Sequence, residues 1–71
     1  MKIVYDKNVD AIYINVTGQS DEVITTDSFS IENLIPFGDI NIDFNENNHI
    51  VGFEILNATS YFPKGFLDTL H

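Results

Sequence analysis

Ile40-Asn41-Ile42-Asp43-Phe44 and Val51-Gly52-Phe53-Glu54-Ile55-Leu56 decide how this chain folds. Ile40 to Phe44 and Val51 to Ile55 alternate apolar and polar residues, the period of a half-buried β-strand. Between them lies Asn45-Glu46-Asn47-Asn48-His49-Ile50, rich in asparagine, which tolerates positive φ better than other non-glycine residues. With Asn47-Asn48 as the two central residues of a tight turn, both at positive φ, Phe44 faces Val51, Ile42 faces Phe53 and Ile40 faces Ile55. All six are apolar. Asn41 then opposes Glu54, and Asp43 opposes Gly52, on the other face. A slip of one residue sets apolar against polar along the whole hairpin, so turn and pattern fix one another.

Outward from the hairpin, Lys2-Ile3-Val4-Tyr5 reads as a first strand, and Asp6-Lys7-Asn8-Val9-Asp10 as the turn after it. Ala11-Ile12-Tyr13-Ile14-Asn15-Val16 is a second strand, with Ile12, Ile14 and Val16 on one face. Thr17-Gly18-Gln19-Ser20-Asp21 reads as a turn. Glu22-Val23-Ile24-Thr25-Thr26 is β-branched and reads as a third strand. Residues 27–35 read as irregular, followed by a turn at Pro36-Phe37-Gly38-Asp39. Beyond the hairpin, Asn57 is placed to cap a helix. Phe62, Phe66 and Leu70, with Leu67, make an apolar stripe on that helix, and Pro63 fits its first turn. A helix so short must pack on a sheet face or on another subunit.

The 71 residues make one domain, 1–71, with a net charge of −8. Such a chain buries only about 60% of its unfolded surface, so its core is small. The absence of cysteine excludes disulfides and thiolate metal sites. The charge argues against direct nucleic-acid binding, which needs Lys and Arg for phosphates, and suits a basic partner. No apolar run approaches the roughly 18 residues of a membrane span, and the N-terminus lacks a signal-peptide core; a cytoplasmic location is expected.

Tyr5-Asp6-Lys7, Asp10-Ala11-Ile12-Tyr13-Ile14, Asp43-Phe44-Asn45-Glu46 and Ile50-Val51-Gly52-Phe53-Glu54-Ile55-Leu56 occur in an order that resembles the small prokaryotic domain-of-unknown-function family 2283. Lys2 to Val16 and Ile40 to Ser60 carry the likeness. Asn47-Asn48 stand where Asp-Gly is common in the family, and 27–35 is longer than usual. The resemblance implies a small β-sheet followed by a helix and no assigned activity. Some members look like partners of small basic toxin-like proteins, which implies an antitoxin-type module.

The chemistry-bearing residues have structural explanations beside the functional ones. Asp43, Asn45, Asn47 and Glu54 match positions 1, 3, 5 and 12 of a calcium-binding EF-hand loop. Against this stand Asn48 in place of the sharp-turn glycine and flanks with strand rather than helix periodicity. Asp6 and Asp10 resemble a carboxylate pair, yet turn formation accounts for both. His49 sits at a turn exit with no nucleophile motif near it. Tyr5, Tyr13 and Tyr61 suit core-edge positions.

The sequence therefore predicts an α+β fold: an antiparallel sheet of four to five strands followed by a short C-terminal helix. It predicts a non-enzymatic, cofactor-free interaction module, an acidic partner of a small basic protein, which the family resemblance implies is antitoxin-like. The alternative is calcium binding at the 43–54 loop. Uncovered apolar surface further predicts a homodimer, with Phe62, Phe66, Leu67 and Leu70 at its interface.

Overall fold

The computed structural model describes residues 1–17 and 21–70. Its strands are β1 (Lys2–Asp6), β2 (Ala11–Asn15), β3 (Thr25–Ile31), β4 (Ile35–Phe44) and β5 (Ile50–Leu56). They form one antiparallel sheet in the order β1-β2-β5-β4-β3. A 3-10 turn at Ala58–Ser60 and a one-turn helix α1 (Lys64–Leu67) complete the chain, which is mostly β.

The central hairpin keeps the expected register over most of its length. Ile40 pairs with Ile55, Asn41 with Glu54, Ile42 with Phe53 and Asp43 with Gly52. Its tip differs. Phe44 pairs with Ile50 rather than Val51, and the register shifts between Asp43 and Phe44, leaving Val51 as an extra residue on β5. The loop is three residues, Glu46-Asn47-Asn48, and only Asn48 takes positive φ (61°). Asn48 N–H donates to Asn45 O and Asn45 N–H to His49 O, both at 3.0 Å. The Asn45 side chain also accepts the N–H groups of Asn47 and His49. A side chain that satisfies two loop donors favours this three-residue loop over the two-residue one. The bulge then restores the apolar pairing that the loop displaces.

The region read as irregular is regular. Asp27-Ser28-Phe29-Ser30-Ile31 continues β3, which starts at Thr25 rather than Glu22. It turns back through Glu32-Asn33-Leu34, with Asn33 at φ 66° and Leu34 N–H donating to Ile31 O. Pro36-Phe37-Gly38-Asp39 is part of β4, but an irregular part. Ile31 pairs with Ile35 and Phe29 with Ile40, so the four residues 36–39 oppose Ser30 alone. Gly38 sits at φ 102° and its N–H donates to Ser28 Oγ at 2.7 Å, which anchors the excursion. Gly18, Gln19 and Ser20, read as part of a turn, lie outside the described residues.

Paired residues share a sheet face. One face carries Tyr5, Ile12, Ile55 and Ile40 in one row, and Ile3, Ile14, Phe53 and Ile42 in the next. The C-terminal segment covers the first row. Ile12, Ile55, Ala58 and Leu67 form the core, with Tyr61, Phe62 and Leu70 packed against it. The expected amphipathic helix shrinks to a single turn. Asn57 adopts positive φ and makes no side-chain cap, and Pro63 stands at the helix's N-cap in an extended conformation. Leu67 is 2% exposed and packs within its own chain; Phe66 is 43% exposed and meets Phe62 at a tilt, ring centres 5.4 Å apart.

Burial sets the expected mutational costs. Ile12 is 2% exposed, so Ile12→Ala is expected to cost about 2–5 kcal/mol in urea unfolding. Phe53 is only half-buried, so Phe53→Ala is expected to cost less than full aromatic burial would, below about 3 kcal/mol.

Candidate functional site

The face opposite the C-terminal segment carries a polar cluster on four adjacent strands. Asn15, Gly52, Asp43 and Thr26 are register partners across β2, β5, β4 and β3. Tyr13 of β2 leans over Gly52 and donates its hydroxyl to Asp43 Oδ2 at 3.2 Å, while Thr26 Oγ1 donates to Asp43 Oδ1 at 2.7 Å. A Cβ on Gly52 would stand 2.5 Å from the Tyr13 oxygen and 3.2 Å from the Ile14 carbonyl. Glycine is therefore favoured by close approach, not by φ, since a side chain here would push the Tyr13 ring aside. Burial, then the Asp43 charge, pushes the Tyr13 hydroxyl pKa above its ordinary value.

A second cluster joins the first turn to the C-terminal segment. Asp10, at φ 52°, accepts from Tyr5 Oη at 2.9 Å, from Thr59 Oγ1 at 2.7 Å and from Thr59 N–H at 3.1 Å. The Thr59 hydroxyl, ahead of the Tyr5 hydrogen bond, holds the Asp10 carboxyl below the usual aspartate range. The Tyr5 pKa rises, first through its hydrogen bond to Asp10. Asp6 accepts from Asn8 N–H, as an Asx turn requires. Asp39 at the β4 excursion receives Asn57 Nδ2 at 3.2 Å and the Tyr61 hydroxyl, which raises the tyrosine's pKa. Beside these contacts runs a groove of about 500 Å³ lined by Tyr5, Lys7, Thr59, Phe62, Lys64, Leu67 and Asp68. Lys64 there is paired with Asp68 at 2.9 Å.

The four residues with calcium-loop spacing have other engagements. Asp43 holds Tyr13 and Thr26, and Asn45 holds its own loop. Asn47 lies in the exposed loop, and Glu54 is exposed on β5 in register with Tyr13 and Asn41. Among the described residues no group of three or more His, Asp or Glu side chains is placed to hold a metal ion. His49 is exposed. The reading of Asp43 as a plain outward polar residue missed its role as the acceptor at the sheet's centre. The signal was present in the Gly52 that faces it, because a strand glycine often marks close approach.

The sheet's open edge is its other distinctive feature. β3 is an outer strand, and Thr25, Thr26, Asp27, Phe29, Ser30 and Ile31 are exposed. It carries no proline or lysine of the kind that blunts edges. At one end Asp21, Glu22 and Glu46 line a small cleft of about 120 Å³ with Ile24, Asn45 and Asn47; at the other stands Glu32 in the hairpin turn. Among the described residues no helix is long and apolar enough to cross a membrane.

Asp10 and the three tyrosines set opposite pH limits. Asp10 titrates lower in the folded chain than in the unfolded one, so its contribution is present above the ordinary aspartate pKa and is lost as pH falls through the depressed value. Tyr5, Tyr13 and Tyr61 titrate higher when folded, so theirs is present below the ordinary value of about 10 and is lost as pH rises through the raised ones. Melting temperature against pH is expected to fall at both extremes, and Asp10→Asn to flatten the acid limb. Gly52→Ala is expected to lower the melting temperature, and Tyr13→Ala to recover part of that loss in the double mutant. Millimolar calcium is expected to leave the melting temperature unchanged, since a ligand of the folded state alone would raise it.

No curated protein and no solved structure matches the chain. A family model does, over residues 2–58, which takes in all five strands and the start of the 3-10 turn. The order of strands, the Tyr13–Gly52–Asp43 contact and the Asp10 turn all lie within that span, and the chain belongs to the family described as "Protein of unknown function (DUF2283)".

Proposed function

We propose that this chain is a non-enzymatic protein–protein interaction module that receives a basic partner along the outer edge of β3. The observation that carries the reading is the edge itself: a seven-residue strand, largely exposed, free of proline and lysine and flanked by acidic residues. Edge strands accept an extended segment through main-chain hydrogen bonds, while flanking charges select the partner. With three basic and eleven acidic residues, the chain attracts a basic protein from a distance. The carboxylates that the fold orders act as acceptors within it, and Asp10 is shifted down, away from the range of a general acid at neutral pH. That supports binding rather than catalysis. The partner class is a small basic protein of the toxin type, which makes the module antitoxin-like, working as a homodimer in the cytoplasm.

Co-expression with the product of a basic reading frame beside its gene tests this. A stable complex is expected at low salt, loosening as salt rises, with Glu22→Lys and Glu46→Lys weakening it roughly tenfold or more. Separate elution of the two proteins at low salt overturns the reading for that partner class.

A further inference from the structure

The register of the sheet carries two rows of side chains out to the free edge of β3. One runs Tyr5, Ile12, Ile55, Ile40 and Phe29 across all five strands. The next, on the same face, runs Ile3, Ile14, Phe53, Ile42 and Asp27. The first row is apolar to its end, whereas the second changes to a carboxylate at its last position. Ile31, two residues beyond Phe29, adds a further apolar position on this face, opposite Ile35. The intervening Thr26, Ser28 and Ser30 are polar and belong to the other face.

The ends of these rows are accessible. Phe29 is 44% and Ile31 40% exposed. Asp27 is exposed, its Oδ1 accepting the neighbouring Ser28 N–H at 3.0 Å. Among the described residues the ion pair is Lys64–Asp68, so no lysine of the chain neutralises Asp27. A strand laid beside β3 presents side chains to the same two faces with the same period, whichever way it runs. Its residues beside Asp27, Phe29 and Ile31 therefore stand two apart and meet different chemistry.

A second copy of β3 fits that edge badly. Antiparallel self-pairing centred on Asp27 sets the carboxylate against its twin, centred on Ser28 against Phe29, and centred on Phe29 against Ile31. Like charges directly opposite are destabilising, and a carboxylate pressed on an apolar side chain loses water without gaining a partner. The charge thus selects against self-pairing and for a strand that brings a cation.

We infer that the edge of β3 reads an extended segment in which one basic and two apolar residues stand at alternate positions. The basic residue lies beside Asp27 and the apolar ones beside Phe29 and Ile31, with polar residues between them. This rests on the reading of the β3 edge as the docking site and specifies the sequence pattern of the partner. Net charge draws any basic protein near. Main-chain hydrogen bonds then hold a strand on the edge, and the two-residue spacing decides which segment stays.

Two end-capped synthetic peptides of one composition test it, by fluorescence anisotropy against the full chain. In one, a lysine and two leucines alternate with threonines. In the other the same lysine and leucines are contiguous, so that an extended strand splits them between its faces. Salt at about 0.15 M shortens the range of the attraction that both share. The alternating peptide is expected to bind at least about fivefold more tightly, the worth of one good cross-strand pair. Asp27→Lys is expected to reduce that preference while far-ultraviolet circular dichroism stays unchanged, since the side chain is in water. An alternating peptide with glutamate in place of lysine is expected to bind that variant more tightly than the lysine peptide does. Equal binding of the two first peptides, binding of neither, or a preference undiminished by Asp27→Lys overturns the inference. The co-expression test fails separately. A whole basic protein that binds while the peptides bind alike leaves the edge reading standing and refutes the pattern; discrimination between the peptides without a co-expressed complex keeps the pattern and rejects that partner class.

Discussion

A five-stranded sheet has more apolar surface than the segment from Asn57 to Leu70 hides, and most features of this molecule follow from that shortage. Asn57 to Leu70 supplies one 3-10 turn and one helical turn, enough to seal the row around Ile12 and Ile55. The buried hydrophobic core is consequently small: Ile12, Val51, Ile55, Ala58 and Leu67 among the described residues. With so little burial, other interactions must hold the C-terminal segment and the sheet together.

They do so through tyrosine–carboxylate pairs at the joints between elements. Tyr5 and Thr59 meet on Asp10, Tyr61 and Asn57 meet on Asp39, and Tyr13 and Thr26 meet on Asp43. The Thr59–Asp10, Tyr61–Asp39 and Tyr13–Asp43 contacts link segments distant in sequence. Charge-assisted hydrogen bonds of this kind are stronger than neutral ones, and each aromatic ring adds apolar cover to the joint. The acidity of the chain is thus partly architectural, with three of its aspartates serving as internal acceptors.

The hairpin from Ile40 to Leu56 was legible because two periodic strands and a turn agreed on one register. Its tip was not, because the choice between a two- and a three-residue loop depended on Asn45 bonding its own loop, and the resulting offset was absorbed by a bulge at Val51 that leaves no mark on the pattern. The strand over Thr25–Ile31 was hidden by its polar residues, although Phe29 and Ile31 alternate with serines. Pro36 and Gly38 pointed to a turn and instead make a protrusion within β4, anchored by Ser28 and Asn41 on Gly38 and by Asn57 and Tyr61 on Asp39. At the C-terminus the four-residue spacing of Phe62, Phe66 and Leu70 predicted a longer helix than Gly65 and Pro63 permit. The candidate site was the least legible part. Asp43 and Asp10 take their roles from Tyr13 and Thr59, residues thirty and forty-nine positions away.

The strand order also divides the chain into two pieces with different prospects during folding. Strands β3, β4 and β5 follow one another as a meander, and β1 and β2 as a hairpin, so each piece is built from local pairings. The seam between β2 and β5 joins residues about forty positions apart. Closing that loop carries an entropic cost that only the completed seam repays. The meander can organise before the hairpin arrives, and until it does β5 is itself an open edge. The Gly52 vacancy over which Tyr13 settles, and the Asp10 acceptors for Thr59, both straddle this seam or its end. The last contacts to form are then the ones that lock the chain, and premature edge pairing is the hazard of the interval before them.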